Sequence, residues 1–152
     1  MPDVTVLLIS AAQPAKLAVY DDRFACIERL ENALPLSEWL YGAMKSIVQR
    51  YNVARVAYAR GPGSFMGLKL GYLFMRSFSL AARIPFVAAS SFDLTSGAPI
   101  KAHGKRWFVI KDGAIAIESF ETPPADRLLL PDQLDMSMFS GAVLPEYVLN
   151  AV

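Results

Sequence analysis

The sequence predicts an α/β fold: a mixed sheet with helices packed on it, in the order β-β-β-α-β-α-β. Three observations carry this reading. Short apolar runs at residues 4–9, 53–59 and 86–89 are bounded by turn or polar residues, as buried strands are. Two longer segments, 36–51 and 66–83, repeat apolar residues at helical spacing instead. Arg60-Gly61-Pro62-Gly63-Ser64 is a turn that divides a strand from the second of these helices.

The chain has 152 residues, enough for one domain or one domain with a small appendage. At 54% hydrophobic and 19% charged it can bury a substantial core, and its mean hydropathy is high at +0.33. The longest apolar region is interrupted by Arg76 and Arg83, so no membrane span is expected. Met1-Pro2-Asp3 lacks the cationic start of a signal peptide, and the lone Cys26 allows neither an internal disulfide nor a cysteine metal cluster. The expected location is the cytoplasm. A net charge of +1 does not suggest binding to nucleic acid by bulk charge.

Taken in order, residues 4–9 form the first strand, and residues 15–20 and 24–30 form a hairpin turned at Asp21-Asp22. Ser37 is the expected N-cap of a helix running to Tyr51, with Leu40, Met44, Ile47, Val48 and Tyr51 on its apolar stripe. Residues 53–59 give the next strand, and the glycine turn opens the long helix 66–83. Pro85 ends that region, residues 86–89 are a strand, and Ser90 or Ser91 caps a short helix. Gly97-Ala98-Pro99 marks a boundary between a first unit, 1–97, and a second, 98–152. In the second, Asp112-Gly113 joins strands at 107–110 and 114–120 as a hairpin. The stretch after Pro123-Pro124 is short and irregular, with room for one more strand, and too small to build a core alone.

The long helix has an unusual surface. Gly63, Gly67 and Gly71 recur every fourth residue and share a face, although glycine in a helix costs about 1 kcal/mol against alanine. The simplest compensation is another backbone approaching closely. Lys69, Arg76 and Arg83, spaced by seven, form one narrow cationic seam bordered by Tyr72, Leu73 and Leu80. Both helices carry more apolar surface than one sheet face can cover, so a second contact is expected.

Other chemistry is weakly signalled. The turn Gly61–Gly67 lies between a strand and a helix, where a phosphate can bind, but reads GxGxxxG and matches neither standard phosphate motif. The plainer reading is a tight turn with close helix packing. The first strand runs into Ser10-Ala11-Ala12 without an acid for magnesium, and Asp21, Asp22 and Asp93 suit turn and helix-start roles. His103 falls in a basic loop with Lys101, Lys105 and Arg106, which reads as solvated or as an RNA contact.

The segment from Arg60 to Gly71 resembles the G-P-G-S-F-T-G-L-R-I-G signature of the TsaB (YeaZ) family. Ile84-Pro85-Phe86-Val87-Ala88-Ala89-Ser90-Ser91 is similar to that family's I-P-L-V-x-V-S strand, Ser37-Glu38 to its helix start, and 145–150 more weakly to its closing P-x-Y-L-R-N. The resemblance implies an actin-like (ASKHA, ribonuclease H-like) fold, with 1–97 as the first lobe and 98–152 as a shortened, degenerate second lobe. It implies a non-catalytic scaffold in the complex that makes threonylcarbamoyladenosine in tRNA. The implied partners are the transferase TsaD in a heterodimer and, through that pair, the ATPase TsaE. Contact with tRNA would be indirect, and the chain would pair with itself when alone. No cofactor is implied for the chain by itself, with ATP and magnesium left to the assembled complex. The family's early D-T-S corresponds to Ser10-Ala11-Ala12, Leu36 stands at its histidine, and Met66 replaces its threonine.

The expected interface takes in Gly63, Ser64, Phe65, Gly67, Lys69, Leu70, Gly71, Tyr72, Leu73 and Arg76 of the long helix and its turn, with Leu40 and Met44 of the earlier one. Gly67 and Gly71 would let the partner approach, Tyr72 and Leu73 would fill the contact, and Lys69 and Arg76 would set its register. The alternative is a small ATPase-like enzyme that binds nucleotide at the Gly61–Gly67 turn.

Overall fold

A computed structural model of the chain describes residues 1–148. Strands β1 (Asp3–Ile9), β2 (Ala15–Tyr20) and β3 (Cys26–Asn32) make an antiparallel meander. Strands β4 (Asn52–Ala59) and β5 (Phe86–Ala89) add to β1 in parallel, giving the order β3-β2-β1-β4-β5. From Val4 onward β1 is buried on both faces, which is why it reads as a continuous apolar run. Edge strand β3 alternates half-buried and exposed residues.

Helix α1 (Leu36–Arg50) links β3 to β4, and α2 (Phe65–Ala82) links β4 to β5. Both crossovers step the same way along the sheet, so right-handed connections put both helices on one face. There Leu40, Met44 and Ile47 of α1 and Met75 of α2 meet Val6, Leu8, Leu17 and Val56 of the strands. The opposite face is covered by α3 (Ser91–Leu94) and by the residues beyond it. Strands β6 (Ile100–Lys101), β7 (Arg106–Lys111) and β8 (Ala114–Ser119) form a small antiparallel sheet. Ile100, Phe108, Leu128 and Leu134 pack on Leu7, Ile9, Ala18 and Ala57. The residues after Gly97 therefore bury their apolar side chains against the main sheet, on the side away from α1 and α2.

Ser64 caps α2, its side chain accepting from the Gly67 amide at 3.2 Å. Several local expectations hold. Ser90 caps α3 in the same way. Asp112 and Gly113 both take positive φ, as the tight β7–β8 hairpin requires. Others shift. Helix α1 starts at Leu36 behind Pro35 without a side-chain cap, so Ser37 lies inside it. Burial of Leu36 draws that residue into the first turn. The β2–β3 link is longer than Asp21-Asp22, because Asp21 accepts from the amides of Arg23 and Ala25 and holds an Asx-type loop. Strand β6 had no sequence signal. Beyond β8 the regular structure among the described residues is a single 3-10 turn, Met136–Met138, and of the closing 145–150 motif Leu149 and Asn150 lie outside them.

Candidate functional site

The glycine face of α2 points inward. The Ser10 hydroxyl donates to the carbonyl of Gly67 at 2.7 Å, and the Ser64 amide donates to Ala11 O at 2.6 Å. A Cβ built on Gly63 would overlap Ala11, one on Gly67 would overlap the Ser10 carbonyl, and one on Gly71 would overlap the Ser10 hydroxyl. This corrects the expectation for Gly63, Gly67 and Gly71. The backbone they admit is the chain's own, where it leaves β1, and not that of a partner. Ser64 is likewise spent on the cap.

The same packing closes the turn to a phosphate. Ser10 and Ala11 are fully buried, the Ser64 and Gly67 amides already have acceptors, and the Glu146 carbonyl lies against Gly61. These residues do not fit a nucleotide phosphate, and Ser10-Ala11-Ala12 offers no carboxylate for its magnesium. Among the described residues, no three His, Cys, Asp or Glu side chains come together as a metal site.

A strap formed by residues 140–147 holds the turn from outside, and the weak closing motif is its one trace in the sequence. Ser140 bridges to Ala88 of β5, and the buried Tyr58 hydroxyl donates to Val143 O. Burial pushes the Tyr58 phenol well above its ordinary range. Arg60 donates from Nε to Leu144 O at 3.0 Å and pairs with the Glu146 carboxylate at 3.2 Å. Phe65 packs at a tilt against Tyr147 with ring centroids 4.7 Å apart.

The groove between α1 and α2 stays open. Its main hollow, about 360 Å³, is walled by Tyr41 of α1 and by Leu70, Leu73 and Phe74 of α2. A second hollow of about 150 Å³ continues past Tyr41 and Phe74 to Val48 and Phe78. Tyr41 is 69% exposed and Leu73 49%, so large apolar side chains rim an uncovered channel. The expected interface is corrected at Leu40 and Met44, which are 3% and 2% exposed: they floor the groove as core residues. Tyr72 is also turned aside. It packs on Tyr58 and Phe86, and Arg76 lies over the Tyr72 and Phe86 rings. Leu70, Leu73 and Lys69 are where an interface could use them, the first half-buried and the other two exposed.

The basic loop is paired in part. Lys105 pairs with Glu121 at 2.9 Å, and Lys111 of the adjoining hairpin pairs with Glu118 at 3.3 Å. His103 is exposed. On the far flank of α1, Arg50 grips the Glu28 carboxylate with two hydrogen bonds of 2.7 and 2.9 Å, which hold that carboxyl below its usual range. No helix among the described residues is long and apolar enough to cross a membrane.

The chain superposes on YeaZ from Pseudomonas aeruginosa with a TM-score of 0.59 at 14% identity, over 78% of this chain and 65% of that one. The fold is that of YeaZ. A second solved structure, described as an uncharacterized protein with similarity to peptidase YeaZ from Pseudomonas aeruginosa, gives a TM-score of 0.60 at 16% identity, covering 80% of this chain and 67% of that one. The chain spans about two thirds of the length of these YeaZ structures. The family model for TsaD, tRNA N6-adenosine threonylcarbamoyltransferase, matches residues 33–106, from just before α1 to the start of β7. No curated protein matches the sequence significantly.

Proposed function

We propose that this YeaZ-like chain works in threonylcarbamoyladenosine modification of tRNA as a non-catalytic subunit that docks the TsaD transferase through the α1–α2 groove. The observation that carries this reading is the groove itself. The C-terminal part of the chain covers the opposite face of the sheet, while Tyr41 and Leu73 stay exposed around an apolar channel. Exposed apolar surface of that continuity is the mark of a protein interface. The TsaD-type match over residues 33–106 includes both helices, which suits pairing between related folds. Residues 98–152 read as a shortened second lobe, TsaE would join through the pair, and tRNA contact would be indirect.

A nucleotide-dependent enzyme is the second reading, and the filled glycine turn speaks against it. ATP and magnesium, where the complex needs them, would be held outside this turn. The test is co-expression with TsaD of the same organism followed by size-exclusion chromatography. Co-elution as one species is expected, and separate elution of two folded proteins would refute the docking role.

A further inference from the structure

A separate hollow of about 450 Å³ lies at the β3 edge of the main sheet, lined by Lys16 of β2, by Arg29, Leu30 and Glu31 of β3, and by Leu129 and Leu130. Its size falls within the roughly 300–1,000 Å³ of small-molecule sites. Lys16 shares a face with Ala18, which belongs to the core on the side away from α1 and α2. Lys16 is only 7% exposed. Its ammonium donates to Pro14 O at 3.2 Å and, among the described residues, pairs with no carboxylate. Yet Glu31 stands directly opposite Lys16 in the β2–β3 register. Residues so placed have Cβ atoms roughly 5 Å apart, and opposite charges there ordinarily attract. Here Lys16 turns to Pro14 instead, and the exposed Glu31 carboxylate has no partner among the described residues either. Arg29, two residues along the same face, is taken by Asp132. The wall opposite the strands is fixed in place. The Tyr20 hydroxyl donates to Pro131 O at 2.7 Å, and the Cys26 amide donates to Asp132 O at 2.8 Å.

We infer that this hollow binds a small zwitterion, an α-amino acid with an apolar side chain. A buried ammonium is unfavourable without a counter-charge, and Lys16 has one carbonyl acceptor for its three donors. A ligand carboxylate supplies the counter-charge and accepts from the remaining donors. The ammonium of the same ligand meets the Glu31 carboxylate. In an α-amino acid one carbon separates the two charged groups, so it can bridge side chains that start from facing positions on adjacent strands. A simple anion would leave Glu31 unanswered and be repelled by it, and a simple cation would do the same with Lys16. Leu129, which is exposed, and Leu130 offer the apolar surface for the ligand's side chain. The hollow is on the other side of the sheet from the α1–α2 groove, so this inference and the docking role stand or fall separately.

The test titrates three probes into the purified chain and follows backbone amide shifts by NMR. They are L-leucine, 4-methylpentanoate, which lacks the ammonium, and isoamylamine, which lacks the carboxylate. Millimolar L-leucine should shift the amides of Lys16, Glu31 and Leu129. Each of the other two probes should bind roughly tenfold or more weakly, the scale of one hydrogen-bonded charge pair. Lys16→Met and Glu31→Gln should each weaken leucine binding by a similar factor. In Glu31→Gln, leucine and 4-methylpentanoate should bind alike, because the ammonium has lost its partner. Glu31 is exposed, so Glu31→Gln keeps the fold and decides the ammonium contact. If Lys16→Met does not fold, isoamylamine against leucine on the wild-type chain decides the carboxylate contact. The inference is overturned by no shift with millimolar leucine, by 4-methylpentanoate or isoamylamine binding as tightly as leucine, or by undiminished leucine binding in Glu31→Gln.

Discussion

The Ser10 hydroxyl reaches across to the Gly67 carbonyl at 2.7 Å, pinning the end of β1 to the first turn of α2. Helix α2 can sit this close because residues 63, 67 and 71 lack side chains on that face. Gly67→Ala should therefore destabilise the isolated chain by about 1 to 3 kcal/mol through overpacking, and Gly71→Leu by more. Urea denaturation of the purified variants measures this. Wild-type midpoints would mean that the notch is not filled from within. Since Gly71→Leu harms the fold, it cannot serve as a clean probe of docking.

Leu73→Asp and Tyr41→Ala are better probes of the groove, because both side chains stand on its exposed rim. Their stability should stay within about 0.5 kcal/mol of wild type. Co-elution with TsaD should be lost for Leu73→Asp, which sets a charge in an apolar contact. Leu40→Ala, at the groove floor, should instead cost about 2 to 5 kcal/mol of stability. If Leu73→Asp co-elutes undiminished, the partner does not use this groove.

Glu28→Gln removes the carboxylate that Arg50 holds between α1 and β3. The pair is partly solvated, so about 0.5 to 1 kcal/mol is expected at pH 7. Because the folded-state pKa is lowered, this stabilisation is present above the unfolded carboxyl pKa, about 4.3, and is lost as pH falls through the folded value. Denaturation of both proteins at pH 7 and pH 3 should show the gap at the first pH and its narrowing at the second. A constant gap would assign the effect to packing.

Titration of the isolated chain with ATP and magnesium should give no micromolar binding. The Ser64 and Gly67 amides are already engaged, and the Glu146 carbonyl lies against Gly61. Micromolar binding that Ser64→Ala weakened would restore the glycine turn as a nucleotide site.

Much of the fold is legible in the residues because its signals are local. The apolar run of β1, the Ser90 cap, the Asp112-Gly113 turn and the periodicity of α1 and α2 each depend on near neighbours in the chain. The candidate site was legible only in part. An excess of apolar helix surface is visible in Leu73, Leu80 and Tyr41, but nothing local distinguishes Leu40 from Leu73, one of them floor and the other rim. The strap was hidden because its ties run from Arg60 to Glu146 and from Phe65 to Tyr147, more than eighty residues apart.

By itself, then, the sequence determined which residues of α2 share a face, where the helix begins, and that more apolar surface exists than one sheet face can use. Only the tertiary structure decided that the glycine face turns toward Ser10 and Ala11 while the Met66–Leu73–Leu80 row turns outward. Helical periodicity fixes the angles between side chains but not the rotation of the helix about its own axis. That rotation is set by how closely the backbone of α2 can approach the end of β1.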